Sequence, residues 1–130
     1  MPISIDRIDH VVINCRDVGV TASWYERALG LRRELFGPDQ RIALTFGRHK
    51  LNLRPTGAAG WPTGAMDAPG SLDICFITSD APEAVLAHLA ACGIAITEGP
   101  VTRTGALGPM TSVYCRDPDG NLVEIASYAT

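Results

Sequence analysis

The sequence predicts an α+β fold in which two paired βαβββ modules form a curved mixed sheet around a central cup. Three observations point there. A strand-like segment, a helical segment and three further strand-like segments occur in that order twice. His10 to Gly30 and Asp73 to Gly93 both run 20 residues, so one offset of 63 aligns the first strand and the end of the helix in both halves. Each half, with about 55 to 60 residues and a single helix, is marginal for an independent core, so the two sheets are expected to share one.

The first strand, near residues 6–15, carries "RIDHVVIN", where Ile8, His10 and Val12 alternate with Asp9, Val11 and Ile13. The helix at 18–29 begins beside Asp17, repeats Val20, Trp24, Tyr25, Ala28 and Leu29 at helical spacing, and stops at Gly30. "RRELF" and "RIALTF" (41–46) read as strands around the turn "GPDQ", and "KLNLR" opens a fourth at 50–55. "PTGAAGWPTGAMDAPG" is rich in glycine, proline and alanine and reads as a flexible linker, 58–70, between modules 1–57 and 71–130.

The second half repeats the pattern. "SLDICFIT" is a strand at 71–78, and a helix at 82–92 turns Val85, Leu86, Leu89 and Ala90 inward before Gly93. "IAITE", "TSVYCR" (111–116) and "NLVEIAS" (within 121–128) complete it, with Asp117 to Gly120 as a tight hairpin turn because Pro118 presets one turn position and Gly120 accepts a positive φ. Residues 98–110, "EGPVTRTGALGPM", read as a long loop, a frequent location of function.

Composition removes several function classes. The chain is 46% hydrophobic, and its net charge of −3 arises from 11 basic and 14 acidic residues without long runs of either sign, which argues against nucleic acid or an anionic membrane as partner. No stretch reads as a signal peptide or reaches the ~20 apolar residues of a membrane span, so a cytoplasmic protein is expected. Cys15, Cys75, Cys92 and Cys115 form no C-x-x-C pair and are expected to be reduced and mostly buried.

Polar residues at apolar strands carry the functional reading. In "NLVEIAS", Val123 and Ile125 share one face and Glu124 takes the other, and a carboxylate there needs a partner, a metal or water. By the same parity His10, Asn52 and Asp73 lie opposite the apolar faces of their strands, with His10 matching Asp73 and Asn52 matching Glu124 between the halves. These four are expected on the cup side, converging if the halves pair. Glu124 and His10 simply bonding each other across a wet cup is the competing reading. Arg103, in the 98–110 segment, has the planar fork that suits a carboxylate or phosphate, against the plainer role of bonding local carbonyls. His49 shares the parity of Leu51 and is no ligand candidate; His88 reads as a solvated side chain, Trp24 and Tyr25 as core, and Trp61 as a cover for a ligand or a partner chain.

The segments "RIDHVVIN", "FGRHKLNLR", "PGSLDICFIT", "EGPVTRTGALGPMTSVY" and "RDPDGNLVEI" resemble the vicinal oxygen chelate superfamily, which includes glyoxalase I, fosfomycin and bleomycin resistance proteins and extradiol dioxygenases. They most resemble glyoxalase domain-containing protein 5 and related bacterial proteins. The resemblance implies metal positions on the first and fourth strands of each module, which carries that role onto His10, Asn52, Asp73 and Glu124. Of these, His10, Asp73 and Glu124 are expected as ligands of a divalent ion (Mn, Ni, Co, Fe or Zn), and Asn52 is expected, with Arg103 of the 98–110 segment, to bind substrate. Asp73 stands where metal-dependent members generally have histidine, and Asn52 where the glyoxalase I type has glutamate or glutamine. The implied function is a metal-dependent lyase or isomerase acting on a small oxygenated substrate, with Glu124 or a metal-bound water as the catalytic base, in a homodimer. The alternatives are a non-catalytic antibiotic- or metabolite-binding protein and, third, an extradiol dioxygenase.

Overall fold

The computed structural model describes residues 2–128. The elements run β1 (His10–Cys15), α1 (Val18–Leu29), β2 (Arg32–Phe36), β3 (Arg41–Phe46), β4 (His49–Pro55), β5 (Asp73–Ile77), α2 (Pro82–Ala91), β6 (Glu98–Gly105), β7 (Gly108–Arg116) and β8 (Leu122–Tyr128). They form two four-stranded sheets, ordered β1-β4-β3-β2 and β5-β8-β7-β6. β1 with β4 and β5 with β8 are parallel, and the other pairs are antiparallel. The doubled βαβββ order is the one expected.

Local chemistry sets the helix ends. The Asp17 side chain accepts from the Val20 N–H at 3.1 Å, and Gly30 closes α1 at φ 68°, a left-handed conformation that glycine adopts without a Cβ penalty. α2 lacks a side-chain cap and starts instead on Pro82, whose missing N–H is one the first turn leaves unpaired anyway.

Both sheets turn apolar faces into one core. Ile13, Leu44, Leu51 and Leu53 from the first sheet and Phe76, Val113, Val123 and Ile125 from the second join Tyr25 and Leu89 of the helices in one cluster. The Phe46 and Phe76 rings meet edge to face at 5.4 Å across the two halves. Leu44 and Val123 have no exposed surface, so truncating Leu44 to alanine costs about 2–5 kcal/mol. Since strand side chains alternate, the faces opposite this core point outward from each sheet.

A buried polar link joins the halves. The turn after β7 closes with Gly120 N–H donating to the Asp117 carbonyl at 3.0 Å, as expected for a tight hairpin. The Asp117 carboxylate then accepts four hydrogen bonds: Tyr25 O–H at 2.8 Å, Asn121 Nδ2 at 2.7 Å, and the backbone N–H groups of Asp119 and Asn121 at 3.0 Å each. Arg16 and Thr21 of the first half also bond Asp119 in this turn.

Between β4 and β5 the chain is tied onto the outer face of the first sheet by Arg54. Its guanidinium donates to the Trp61 carbonyl at 2.9 Å, Asn14 Oδ1 at 2.8 Å, the Ala58 carbonyl at 3.1 Å and Asp67 Oδ2 at 3.3 Å. Trp61 stacks on Arg41, 4.0 Å from guanidinium carbon to ring centre.

Several boundaries differ from the sequence reading. β1 starts at His10 rather than residue 6, leaving Ile3, Ile5 and Ile8 exposed on an irregular lead-in. Of "IAITE" only Glu98 lies in a strand, as the first residue of β6: Ile94 and Ile96 pack on the core from an irregular segment, so their alternation marks burial without pairing. The expected loop at 98–110 is a hairpin of β6 and β7. β6 was hidden because it is an edge strand with one solvated face, and its Gly99-Pro100 pair sits at a register shift between Glu98 and Val101, where a missing donor is tolerated. His88 is not simply solvated, since its Nε2 bonds the Ala28 carbonyl at 2.9 Å and ties the two helices.

Candidate functional site

The outer face of the second sheet carries a row of four side chains, one per strand. Cys75 lies opposite Glu124, Glu124 opposite Tyr114, and Tyr114 opposite Glu98. Glu124 is 8% exposed, and its Oε2 is buried without a hydrogen-bond partner among the described residues. A buried polar oxygen left so is costly, which makes the position a candidate to receive a cation, a donor or a water. Ser112, one row on, is fully buried with its Oγ also unpartnered.

Arg103, in β6 rather than in a loop and opposite Met110, reaches back to the end of this row with its guanidinium. Its Nε donates to the Tyr114 hydroxyl at 3.1 Å and one terminal nitrogen to Glu98 at 3.0 Å, contacts that raise its pKa further, the Tyr114 bond most, and the other terminal nitrogen donates to the Thr102 carbonyl at 3.1 Å, the local-carbonyl role the sequence also allowed. Burial raises the Tyr114 hydroxyl, Arg103 opposes that shift, and Glu124 adds to it through charge and hydrogen bond. Burial, then the Glu124 charge, pushes the Cys75 thiol up to about 11, so it is protonated at neutral pH. Asp73 opens β5, exposed and paired with Leu122, in the row adjoining Glu124.

The first sheet holds the other two candidates. His10 is exposed at the start of β1 with its Nδ1 2.9 Å from Asp9 Oδ2, a bond that lowers the Asp9 pKa and, with Nδ1 as donor, leaves the Nε2 lone pair free for a ligand. Asn52 is 6% exposed, set between Val12 and Ala43, with its Oδ1 buried and unpartnered. His10 and Asn52 thus share one outer face, while Asp73 and Glu124 share the other. Among the described residues no three His, Cys, Asp or Glu side chains lie close enough to hold one ion. The donors suit a hard or borderline divalent ion in kind, and the orphaned oxygens of Glu124 and Asn52 are acceptors of the sort such a site needs.

The remaining readings resolve simply. His49 packs on Phe46 with ring centres 5.7 Å apart, and Trp24 and Tyr25 are core. All four cysteines are free; Cys15 and Cys115 are buried, Cys92 is partly so and Cys75 is exposed. Sequence reasoning missed Tyr114, Cys75 and Ser112. Counting back across the Asp117–Gly120 turn places Tyr114 opposite Glu124, and that signal was present in the sequence.

A profile of the Glyoxalase/Bleomycin resistance protein/Dioxygenase superfamily matches residues 7–125. Virulence protein STM3117 of Salmonella typhimurium is 46% identical over 124 residues, 95% of this chain and 85% of that protein. Glyoxalase domain-containing protein RDO1 of Mycosarcoma maydis is 44% identical over 126 residues, 97% of this chain and 70% of that protein. The solved integron cassette protein VCH_CASS1 from V. cholerae is 42% identical with a TM-score of 0.95, covering 99% of this chain and all of that one. Solved proteins of unlike roles share the fold: a lactoylglutathione lyase from Agrobacterium tumefaciens, at 25% identity and TM-score 0.72 over 95% and 94% of the two chains, and the antibiotic-binding protein TnmS3 from a Streptomyces, at 20% and 0.76 over 98% and 100%.

Proposed function

The chain belongs to the Glyoxalase/Bleomycin resistance protein/Dioxygenase superfamily, and from that premise we propose that it is a divalent-metal-dependent lyase or isomerase of the glyoxalase kind acting on a small oxygenated substrate. The observation that carries this reading is the unpartnered, buried Glu124 Oε2 on an outward strand face, matched by Asn52 Oδ1 on the other half. His10, Asp73 and Glu124 would hold the ion. When bound, it would supply Lewis acidity to polarise a substrate carbonyl.

In this scheme Glu124 takes the proton from the carbon beside that carbonyl, and Tyr114 at its side keeps the carboxylate oriented. Asn52 Oδ1 accepts a substrate hydroxyl, and Arg103, held by Glu98 and Tyr114, faces a substrate oxygen at the end of the row. The four donors meet when the outer face of the first sheet of one copy covers the outer face of the second sheet of another. Exposed Ile3, Ile5, Ile8 and Ile77 are the apolar surface such a homodimer buries. No helix among the described residues is long and apolar enough to cross a membrane, and four free cysteines suit a reducing, cytoplasmic setting.

A non-catalytic protein that sequesters a metabolite or antibiotic is the second reading, favoured by the aspartate at position 73, which weakens the ligand set. Calorimetric titration with Mn²⁺, Ni²⁺ and Co²⁺ separates the two. For a metal enzyme, Glu124→Gln and His10→Ala each lose at least tenfold in affinity, about 1.4 kcal/mol, and remain folded. Wild-type protein that binds these ions no better than either variant refutes the metal reading.

A further inference from the structure

Arg32, Thr45 and Lys50 stand opposite one another on β2, β3 and β4, and His10 continues the same row on β1. All four lie on the outer face of the first sheet, because Leu51 and Leu53 turn into the core. A row this basic is unusual for a strand face, where like charges set close together repel. It also stands in a chain whose net charge is −3.

The row borders a hollow of about 360 Å³, lined by Arg32, Glu34, Thr45, Arg48, Lys50 and Asp9, among others. The known ion pairs of the described residues leave Arg32, Arg48 and Lys50 without a carboxylate within 4.0 Å, although Glu34 and Asp9 border the same space. Asp9 pairs with Arg7 at 3.6 Å and His10 at 2.9 Å, and the Lys50 charge also acts on it, as the least of the contacts that lower its pKa. Thr45 donates its hydroxyl to the Arg32 carbonyl at 3.3 Å, so the charged groups left to meet a ligand are the three cations and the Glu34 carboxylate, an excess of positive charge. Lys50 is held in place, its Nζ lying 4.1 Å from the centre of the Phe36 ring.

We infer that Arg32, Arg48 and Lys50 form a subsite for an anionic group, a carboxylate or a phosphate, and that the small molecule taken by this protein carries one. Two guanidiniums supply paired donors that match such an oxyanion, and the ammonium supplies a point charge beside them. Assignment of the subsite to the substrate rests on the reading that the outer face with His10 and Asn52 binds it. The subsite lies in His10's own row, so an anion there places the rest of the molecule over Asn52 and the proposed ligands.

The test is a titration of the full-length protein with inorganic phosphate at constant ionic strength, followed by NMR. Saturable shifts centred on Arg32, Thr45, Arg48 and Lys50 are expected, with binding at least fivefold weaker in Lys50→Met and in Arg32→Gln. Arg27→Gln removes the same charge from an exposed position on α1 and is expected to bind phosphate like the wild type. Absence of saturable shifts in the wild type, or an equal loss in Arg27→Gln, overturns the subsite. Mn²⁺ titration of the same samples keeps the two readings apart. Phosphate binding without Mn²⁺ binding sinks the metal reading and leaves the subsite, and the opposite result does the reverse.

Discussion

Replacing Tyr25 with phenylalanine removes one oxygen from the centre of the molecule and tests what holds the halves together. The ring has no exposed surface and its contacts with Trp24 and Phe76 remain, so the change isolates the hydroxyl. That hydroxyl donates to a buried carboxylate at 2.8 Å, and hydrogen bonds to charged groups contribute about 1.5–3 kcal/mol. Asp117 keeps its three other donors, which holds the expected loss near the middle of that range, about 2 kcal/mol. Burial first, and then the Asp117 charge, pushes the Tyr25 pKa far above its ordinary range, so the donor is intact at any pH used for folding studies. Urea unfolding followed by tryptophan fluorescence should show a lower midpoint with an unchanged slope, and melting should fall by roughly 5–10 °C. A loss below about 0.5 kcal/mol would show that the turn is held by its own backbone bonds and that the Tyr25 link between the halves is incidental.

Two further outcomes follow from the packing. Burial lifts Cys15 to about 12 and Cys115 to about 11 from an ordinary 9.0, so the folded protein keeps protons that the unfolded chain gives up. Their stabilisation is whole below pH 9 and is lost as pH rises through the folded values, by about 1.4 kcal/mol per thiol near pH ~10; Cys115→Ala should remove its share of that slope in a pH series of urea titrations, and a flat wild-type profile refutes it. Gly70 has φ 89°, and a Cβ there would strike the Asp119 carbonyl oxygen. Gly70→Ala should therefore lower stability by about 2 kcal/mol or more in the same assay, and a change within about 0.5 kcal/mol would mean that the segment before β5 yields freely.

The parts legible in the sequence were those set by neighbours along the chain. Asp17 and Gly30 bound α1 at residues 18–29 as expected, and the Asp117–Gly120 turn and the doubled βαβββ order follow from local signals and the repeat. Parity also placed Glu124 and Asn52 opposite the core correctly. Parity along one strand does not say which way whole sheets face, however. Tyr25 reaching Asp117 and Phe46 meeting Phe76 join residues 92 and 30 positions apart, and only such contacts put the two apolar faces together and the polar ones outside. β6 and the Arg103–Tyr114–Glu98 contact were hidden for a related reason. An edge strand with a proline at a bulge takes its shape from β7, a neighbour that its own composition does not announce.

Asn52 Oδ1, Ser112 Oγ and Glu124 Oε2 have a consequence for anyone seeking to make this protein sturdier. Each is an internal oxygen whose bonding is incomplete, and such a group costs about 1–3 kcal/mol against an apolar replacement of like shape. A search guided by melting temperature would pick these three positions among its first improvements, exchanging Asn52 for leucine or Ser112 for alanine. The hardier variants would then have smooth apolar strand faces where the parent has waiting acceptors. If the proposed site is the working one, thermal resistance and recognition of its small molecule are opposed at Asn52 and Glu124, and screening for the first without assaying the second selects a scaffold with no site.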